Sequence, residues 1–358
     1  MTPARAPWPG VIRHYWNHLP VKNEANIVTL FEGDTPLFRC VNLERVINPA
    51  IQLYLKLEGL NPTCSFKDRG MTVAISKAVE DGSNSVICAS TGNTSASAAA
   101  YAARAGLKAY VLVPQGNISL GKLSQAMIHG ARVIEIEGNF DAALKLVQAA
   151  TKEFPVTLVN SINPYRIEGQ KTAAFEVCDH LERAPDYNFL PVGNAGNITA
   201  YWKGYKEYLE LGRIKSLPKM MGFQASGAAP IVNNRVIENP QTLATAIKIG
   251  NPAGWKSAVA ARDESEGVIE AISDEDILAA YKLLAIKEGI LAEPASAITI
   301  AGVLKKQAEG TFKKGDLVVC TLTGHGLKDP DIAIRQSKQP ERIAPSLKNL
   351  ERLFEADK

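Results

Sequence analysis

A two-domain α/β architecture, each domain a mainly parallel sheet flanked by helices, is the fold class this sequence predicts. Three observations carry it. The chain has 358 residues, long enough for two domains. Short, nearly continuous apolar strands alternate with helical segments from residue 68 to about 160, the pattern of βαβ units around a buried parallel sheet. The second half repeats that alternation without any internal sequence repeat.

The elements follow in order. D-R-G-M-T-V-A-I-S-K-A-V-E-D-G reads as a helix closed by Gly82. S-V-I-C-A-S at 85–90 is a short apolar strand, followed by an Ala-rich helix ending at Gly106. K-A-Y-V-L-V-P is a strand ended by Pro114. Residues 119–129 read as helix and 132–138 as strand. Phe140, Leu144, Val147 and Phe154 mark one face of the next helix, and V-T-L-V-N-S follows as a strand. Y-N-F-L-P-V at 187–192 is a strand feeding a Gly/Asn loop and a helix over about 197–211. K-M-M-G-F-Q-A is another strand. Residues 274–289 form a helix with acids at its start and Gly289 at its end. D-L-V-V-C-T-L-T-G at 316–324 is the last clear strand. The Asn/Pro/Gly-rich stretch 226–256 is the least regular, either a loop insertion or a flap. The tail from 338 is charged and ends in a surface helix.

Apolar residues make up 46% and charged residues 22% of the chain, with a net charge of +3 and mixed signs. Such a balance carries no nucleic-acid footprint and no membrane patch. No apolar run approaches the roughly 20 residues of a membrane helix. The N-terminal M-T-P-A-R-A-P-W-P-G has no apolar signal core, so a cytoplasmic location is expected. Cys40, Cys64, Cys88, Cys178 and Cys320 form no C-x-x-C pair. They read as reduced thiols packed as small apolar groups. His14 and His18 are four apart without nearby carboxylates and read as a structural pair. No metal site is expected.

Five runs carry candidate chemistry. In L-N-P-T-C-S-F-K-D-R-G, Lys67 places an amine at the start of a helix beside Phe66. Lysine becomes a nucleophile or base when its pKa falls below about 10.4. S-T-G-N-T at 90–94 ends a strand and opens a helix, so Ser90, Thr91, Gly92, Asn93 and Thr94 offer hydroxyls and unpaired amides to an anion. Plain N-capping by Ser90 or Thr91 explains the same residues. G-N-A-G-N at 193–197 (Gly193, Asn194, Ala195, Gly196, Asn197) also joins strand to helix and suits a phosphate; the ordinary alternative is a tight turn. Thr323 in T-L-T-G-H-G sits at a strand's carboxyl end, where open parallel sheets bind ligands. Asn160, Ser161 and Arg166 lie together after another strand, Arg166 being either a phosphate fork or half of a surface salt bridge. Amine, anion loop and phosphate cradle together point to pyridoxal phosphate held as a Schiff base.

In combination these segments resemble the threonine synthases, pyridoxal-phosphate enzymes of the tryptophan-synthase β, or fold type II, family. The resemblance runs from E-G-D-T-P-L at 32–37 to G-L-K-D-P at 326–330. Its specific stretches are S-F-K-D-R-G, A-S-T-G-N-T-S-A-S, N-P-Y-R-I-E-G-Q-K-T, P-V-G-N-A-G-N and T-G-H-G-L-K-D-P. Related dehydratases carry a run of glycines at the phosphate cradle and cysteine synthases a G-T-G-G-T type; G-N-A-G-N matches neither. The resemblance implies that Lys67 binds the cofactor and shuttles protons. It implies that Asn93 meets the 3′-oxygen, residues 193–197 the cofactor phosphate and Thr323 the pyridine nitrogen. The substrate carboxylate would sit on Ser90–Asn93, and the substrate phosphate on Thr94, Asn160, Ser161, Arg166 and Asn194.

The implied reaction turns O-phospho-L-homoserine and water into L-threonine and phosphate, by γ-elimination and β-addition of water, the last step of threonine biosynthesis. The implied domains are a large cofactor-binding unit, 1–59 plus 159–345, a small unit, 60–158, carrying Lys67 and Asn93, and a tail, 346–358. A homodimer is expected, with no nucleic-acid or membrane partner. The chain lacks the long N-terminal extension of allosterically activated plant forms, so no such regulation is expected. Cys64 departs from a family glycine, His325 from a common asparagine and Phe31 from a frequent glycine. The competing readings are a threonine or serine dehydratase, and a catalytically inert sensor of pyridoxal phosphate or a phosphorylated ligand.

Overall fold

The computed structural model describes residues 6–115, 120–138 and 140–356, with only the backbone of 120–122, 140, 141 and 356. The expected place of Phe140 on a helix face therefore lies outside the described side chains. Among the described residues ten strands form two sheets: β1 (Leu37–Arg39), β2 (Gln52–Leu57), β3 (Ser85–Ala89), β4 (Lys108–Pro114), β5 (Arg132–Ile136), β6 (Thr157–Leu158), β7 (Tyr187–Pro191), β8 (Lys219–Ala225), β9 (Val268–Ile272) and β10 (Leu317–Leu322). The larger sheet runs β1-β2-β10-β7-β8-β9 and the smaller β5-β4-β3-β6. Every pairing is parallel except β1 with β2. Strands β3 and β10 are buried at every position, as strands covered on both faces must be.

Topology decides where a ligand can bind. In the smaller sheet the chain goes from β3 outward to β4 and β5, then returns to place β6 on β3's other side. A crevice opens outside the carboxyl ends of strands where the order reverses in this way. The 90–94 loop leaves β3 there, and Asn160 and Ser161 follow β6. In the larger sheet β10 and β7 are neighbours, while the chain runs outward from β7 to β8 and β9. Residues 193–197 and 323–326 leave the carboxyl ends of β7 and β10. The fold thus collects four of the five candidate runs at strand ends.

Two helices, Lys67–Glu80 and Pro164–Leu181, cross closely between the sheets, and glycine makes the crossing possible. A Cβ on Gly169 would lie 1.9 Å from the Arg69 carbonyl oxygen, and one on Gly70 would lie 2.7 Å from Arg166 Nε. Arg69 then pairs with Glu58 and Glu176 at 2.6 Å each, and Lys56 reaches Glu176 at 2.6 Å. Burial works against the Glu176 carboxylate, yet Arg69 and Lys56 hold it well below the usual carboxylate range. Two cations and two anions balance each other, as buried charge requires. Gly169→Ala is expected to destabilise the protein by about 1–3 kcal/mol or more, because backbone cannot yield to the new methyl; urea unfolding checks this.

Several elements differ from expectation. Helices Pro164–Leu181 and Pro294–Ala308 were not legible, because protein surrounds them and no polar stripe marks them. Strand β6 spans two residues rather than six. Phe154 falls just beyond its helix and is exposed, whereas Val147 is buried and Leu144 packs beside it. The 226–256 stretch packs over the Gly193 loop: Asn194 accepts from the backbone amides of Ala253 at 2.7 Å and Gly254 at 3.2 Å. The tail does end in a helix, Leu347–Ala356, with Leu347 and Phe354 exposed. His14 packs on Trp8 and His18 on Phe175, so each histidine serves an aromatic cluster.

Candidate active site

Lys67 opens its helix from a short backbone pairing. The amide of Phe66 donates to Thr323 O at 2.9 Å, that of His325 donates to Cys64 O at 3.0 Å, and Ser65 bridges Gly324. The loop before the lysine is thereby fastened to the end of β10. Asp68 fastens the other side, accepting from the Thr63 amide at 2.6 Å and from Ser97 at 2.6 Å. Burial pushes the Asp68 carboxyl up to about 6 against those hydrogen bonds. The Lys67 amine rests 4.0 Å from the centroid of the Phe66 ring. The side chain keeps some accessible surface, as a residue facing a cleft does. Desolvation, and then the charge of Arg166, lower its pKa to about 7, opposed by Glu293.

Arg166 is 1% exposed. One guanidinium nitrogen donates to Val159 O at 2.8 Å, and Nε has no partner. No carboxylate pairs with it among the described residues, in contrast with Arg69 one helix away. Burial lowers even this guanidinium to about 10. A buried, unpaired cation beside a second amine is costly unless an anion joins it.

The remaining candidates lie in the loops that leave the strand ends. Ser90 Oγ accepts from the amides of Gly92 at 3.2 Å and Ser95 at 3.3 Å, but the N-cap residue is Gly92, not Ser90 or Thr91. Thr91, Gly92 and Thr94 line the same turn, and a Cβ on Gly92 would meet only open space. Asn160 grips the Ala89 backbone at both ends of its amide, 2.9 Å each; it fixes the end of β3 and keeps one amide hydrogen. Asn194 donates to Ser161 Oγ at 2.5 Å, joining the β7 loop to the β6 loop. Gly193 lies so close to Ile247 that a Cβ would sit 3.0 Å from its Cα, Ala195 adopts φ 66°, and Gly196 begins helix Gly196–Glu210. Asn197 is buried with neither amide atom partnered.

Sequence reasoning missed Glu293. It stands just before helix Pro294–Ala308, 4% exposed. It accepts from Thr323 Oγ1 at 2.8 Å and from Asn93 Nδ2 at 3.1 Å. Thr323 also lies 3.0 Å from Ser296 Oγ. These partners are 30 and 200 residues away from Glu293 in sequence, so no local pattern marks it.

The family model for pyridoxal-phosphate dependent enzymes matches residues 28–324. The threonine synthase of Halalkalibacterium halodurans is 59% identical over 327 residues, covering 91% of this chain and 92% of that one. That of Mycobacterium tuberculosis is 58% identical over 347 residues, covering 96% of each. The chain belongs to the threonine synthase family. An archaeal threonine synthase, from Methanocaldococcus jannaschii, is still 54% identical over 95% of this chain and 86% of its own. Solved structures share the fold: a threonine deaminase from Solanum lycopersicum (TM-score 0.74, 20% identity, 93% of this chain and 95% of that one) and a maize serine racemase (TM-score 0.73, 18% identity, 94% and 100%). Like its family, the chain is a pyridoxal-phosphate dependent lyase.

The residues present fit that cofactor. An amine with a lowered pKa suits carbonyl chemistry. An orphaned buried amide at Asn197, beside a helix N-terminus and a glycine loop, suits a phosphate. Among the described residues no helix is long and apolar enough to cross a membrane, and no group of three or more His, Cys, Asp or Glu could hold a metal.

Two of the departures from the threonine synthase pattern share one geometry. Cys64 has φ 63° and Phe31 φ 62°, left-handed conformations that glycine adopts freely and other L residues at a cost of about 1–2 kcal/mol. The other four cysteines are buried, and burial pushes Cys88 up to about 12. Cys64, half-buried and three residues before Lys67, is the accessible thiol. Alkylating agents are expected to inactivate the protein through Cys64, and Cys64→Gly to abolish the sensitivity. Unchanged inactivation of Cys64→Gly would exclude this thiol.

Proposed function

We propose that this chain converts O-phospho-L-homoserine and water to L-threonine and phosphate, with pyridoxal phosphate held at Lys67. The observation that carries the substrate is Arg166. A buried guanidinium without a carboxylate, close enough to depress the Lys67 pKa, marks a seat for a phosphorylated ligand. A dehydratase acting on threonine or serine has no use for it.

In this reading Gly193, Asn194, Ala195, Gly196 and Asn197 hold the cofactor phosphate, Asn93 its 3′-oxygen, and Thr323 stands at the ring nitrogen. When bound, the cofactor supplies an electron sink that acidifies the substrate's α- and β-carbons. The protein supplies orientation and proton transfer. Within the Ser90–Asn93 turn at the helix start, including Gly92, Thr91 offers its amide and hydroxyl and Ser90 its hydroxyl hydrogen to the substrate carboxylate. Arg166, Ser161, Asn194, Thr94 and the free hydrogen of Asn160 receive the substrate phosphate, Arg166 through its planar fork. Lys67, neutral in part at pH 7, takes the α-proton and then a β-proton. Phosphate leaves the γ-carbon, which then gains a proton to become the methyl group. The hydroxide of water adds at the β-carbon while its proton goes to the departing phosphate, and Lys67 returns a proton to the α-carbon. The same guanidinium and hydrogen-bond donors that seat the phosphate stabilise it as it departs.

The four-stranded layer of the small domain, 60–158, closes on the large one, 1–59 with 159–345, and excludes water until phosphate leaves. Its first helix stays anchored through Arg69, so the motion belongs to the four-stranded layer. A homodimer and a cytoplasmic location complete the proposal; light scattering tests the former. The substrate test compares two reactions of the cofactor-loaded protein. Phosphate release from O-phosphohomoserine without keto-acid formation from threonine supports the proposal. Keto acid without phosphate release overturns it and leaves Arg166 without its role.

A further inference from the structure

We infer that Glu293 is a positioning residue for the cofactor ring, acting through the amide of Asn93. The inference rests on the reading above, in which Asn93 meets the 3′-oxygen. The geometry comes from three elements. Asn93 begins the helix after β3 in the smaller layer, Thr323 follows β10 in the larger, and Glu293 precedes helix Pro294–Ala308. One carboxylate oxygen receives Thr323 Oγ1 at 2.8 Å and the other receives Asn93 Nδ2 at 3.1 Å.

The seat for this carboxylate is built. Gly324 faces it without a side chain, and a Cβ there would lie 2.5 Å from the Glu293 carboxyl carbon. Ser296 supports Thr323 at 3.0 Å and receives the Gly324 amide at 3.2 Å. Glu293 forms no salt bridge with an arginine or lysine among the described residues; its charge acts on Lys67, and its direct contacts are the two hydrogen bonds to Thr323 and Asn93.

The chemistry of the carboxylate then constrains Asn93. An ionised carboxylate only accepts hydrogen bonds, whereas an asparagine amide can turn either end toward a neighbour. Facing Glu293, Asn93 must turn its nitrogen inward, and that nitrogen keeps a second hydrogen. Asn93 is thereby held as a donor, the polarity that a phenolate-type oxygen requires. A glutamine at 293 offers a donor and an acceptor. It satisfies Thr323 with either end and allows Asn93 to flip.

The test is a double-mutant cycle on cofactor binding, read by fluorescence titration and by the absorption bands of the bound cofactor. Glu293→Gln is expected to weaken binding about tenfold, the worth of one hydrogen bond to a charged group, and to change the ratio of the absorption bands. Asn93→Ala should do the same, and the double variant should bind within about threefold of Asn93→Ala, because the two residues act in series. Parent-like affinity and spectrum in Glu293→Gln, or penalties that multiply in the double variant, would overturn the inference. If Glu293→Gln does not fold, Glu293→Asp, an acceptor one methylene shorter, takes its place in the cycle under the same criteria. A parent protein that carries no borohydride-fixed cofactor mass on Lys67 would sink the underlying reading, a result distinct from either outcome.

Discussion

Lys67→Ala is expected to cut phosphate release from O-phosphohomoserine by about 10³-fold or more, since both cofactor capture and proton transfer depend on that amine. The protein should stay folded. The Lys67 amine contacts the Phe66 ring and joins none of the ion pairs that anchor its helix, which run through Arg69. Removing it relieves a desolvated charge. Circular dichroism and thermal melting of the cofactor-free variant should therefore match the parent while activity is lost. The same amine carries a pH signature. Below about 7 it is protonated and unreactive, and above about 7 it is neutral. Acylation of Lys67 in the cofactor-free protein, followed by mass spectrometry, should rise through that pH rather than near the ordinary lysine value of about 10.4.

Arg166→Gln has two expected effects that separate it from a merely structural change. It removes the fork from a buried phosphate seat, so kcat/KM for O-phosphohomoserine should fall about 10²–10³-fold, the range for truncating one side of a buried charged pair. It also removes the second-largest cause of the lowered Lys67 pKa. The Lys67 pKa must then rise, and the acylation profile must move to higher pH. Arg166→Lys keeps the charge without the planar fork; it should leave the profile near 7 while recovering only part of kcat/KM. An Arg166→Gln protein with a parent-like profile would mean that the two cations do not share a site.

How far the sequence reaches depends on whether a residue's partners are local. Helix 93–105 is legible because Ala-rich sequence runs into Gly106, which takes φ 69°. Helix 274–288 is legible from Ser273, which caps Asp276, three acids in the first turn and Gly289 at φ 68°. Helix 164–181 hides because it is packed against neighbouring helices on several sides and shows no polar stripe. Among site residues, Lys67 and the loops at 90–94 and 193–197 announce themselves by residue type at strand-to-helix junctions. Glu293 does not, since its meaning arises only when Asn93 and Thr323 are brought to it. Arg69 is similar. Its glutamates come from positions 58 and 176, and the glycines that permit the approach, Gly70 and Gly169, explain why D-R-G and E-G-Q stand beside chemistry they do not perform.

The most direct measurement is product stoichiometry. Purified protein loaded with pyridoxal phosphate is given O-phospho-L-homoserine, and phosphate and threonine are quantified together, with Lys67→Ala as control. The account predicts one threonine for each phosphate and loss of both in the variant. Keto acid in place of threonine, or phosphate release that survives Lys67→Ala, would contradict it.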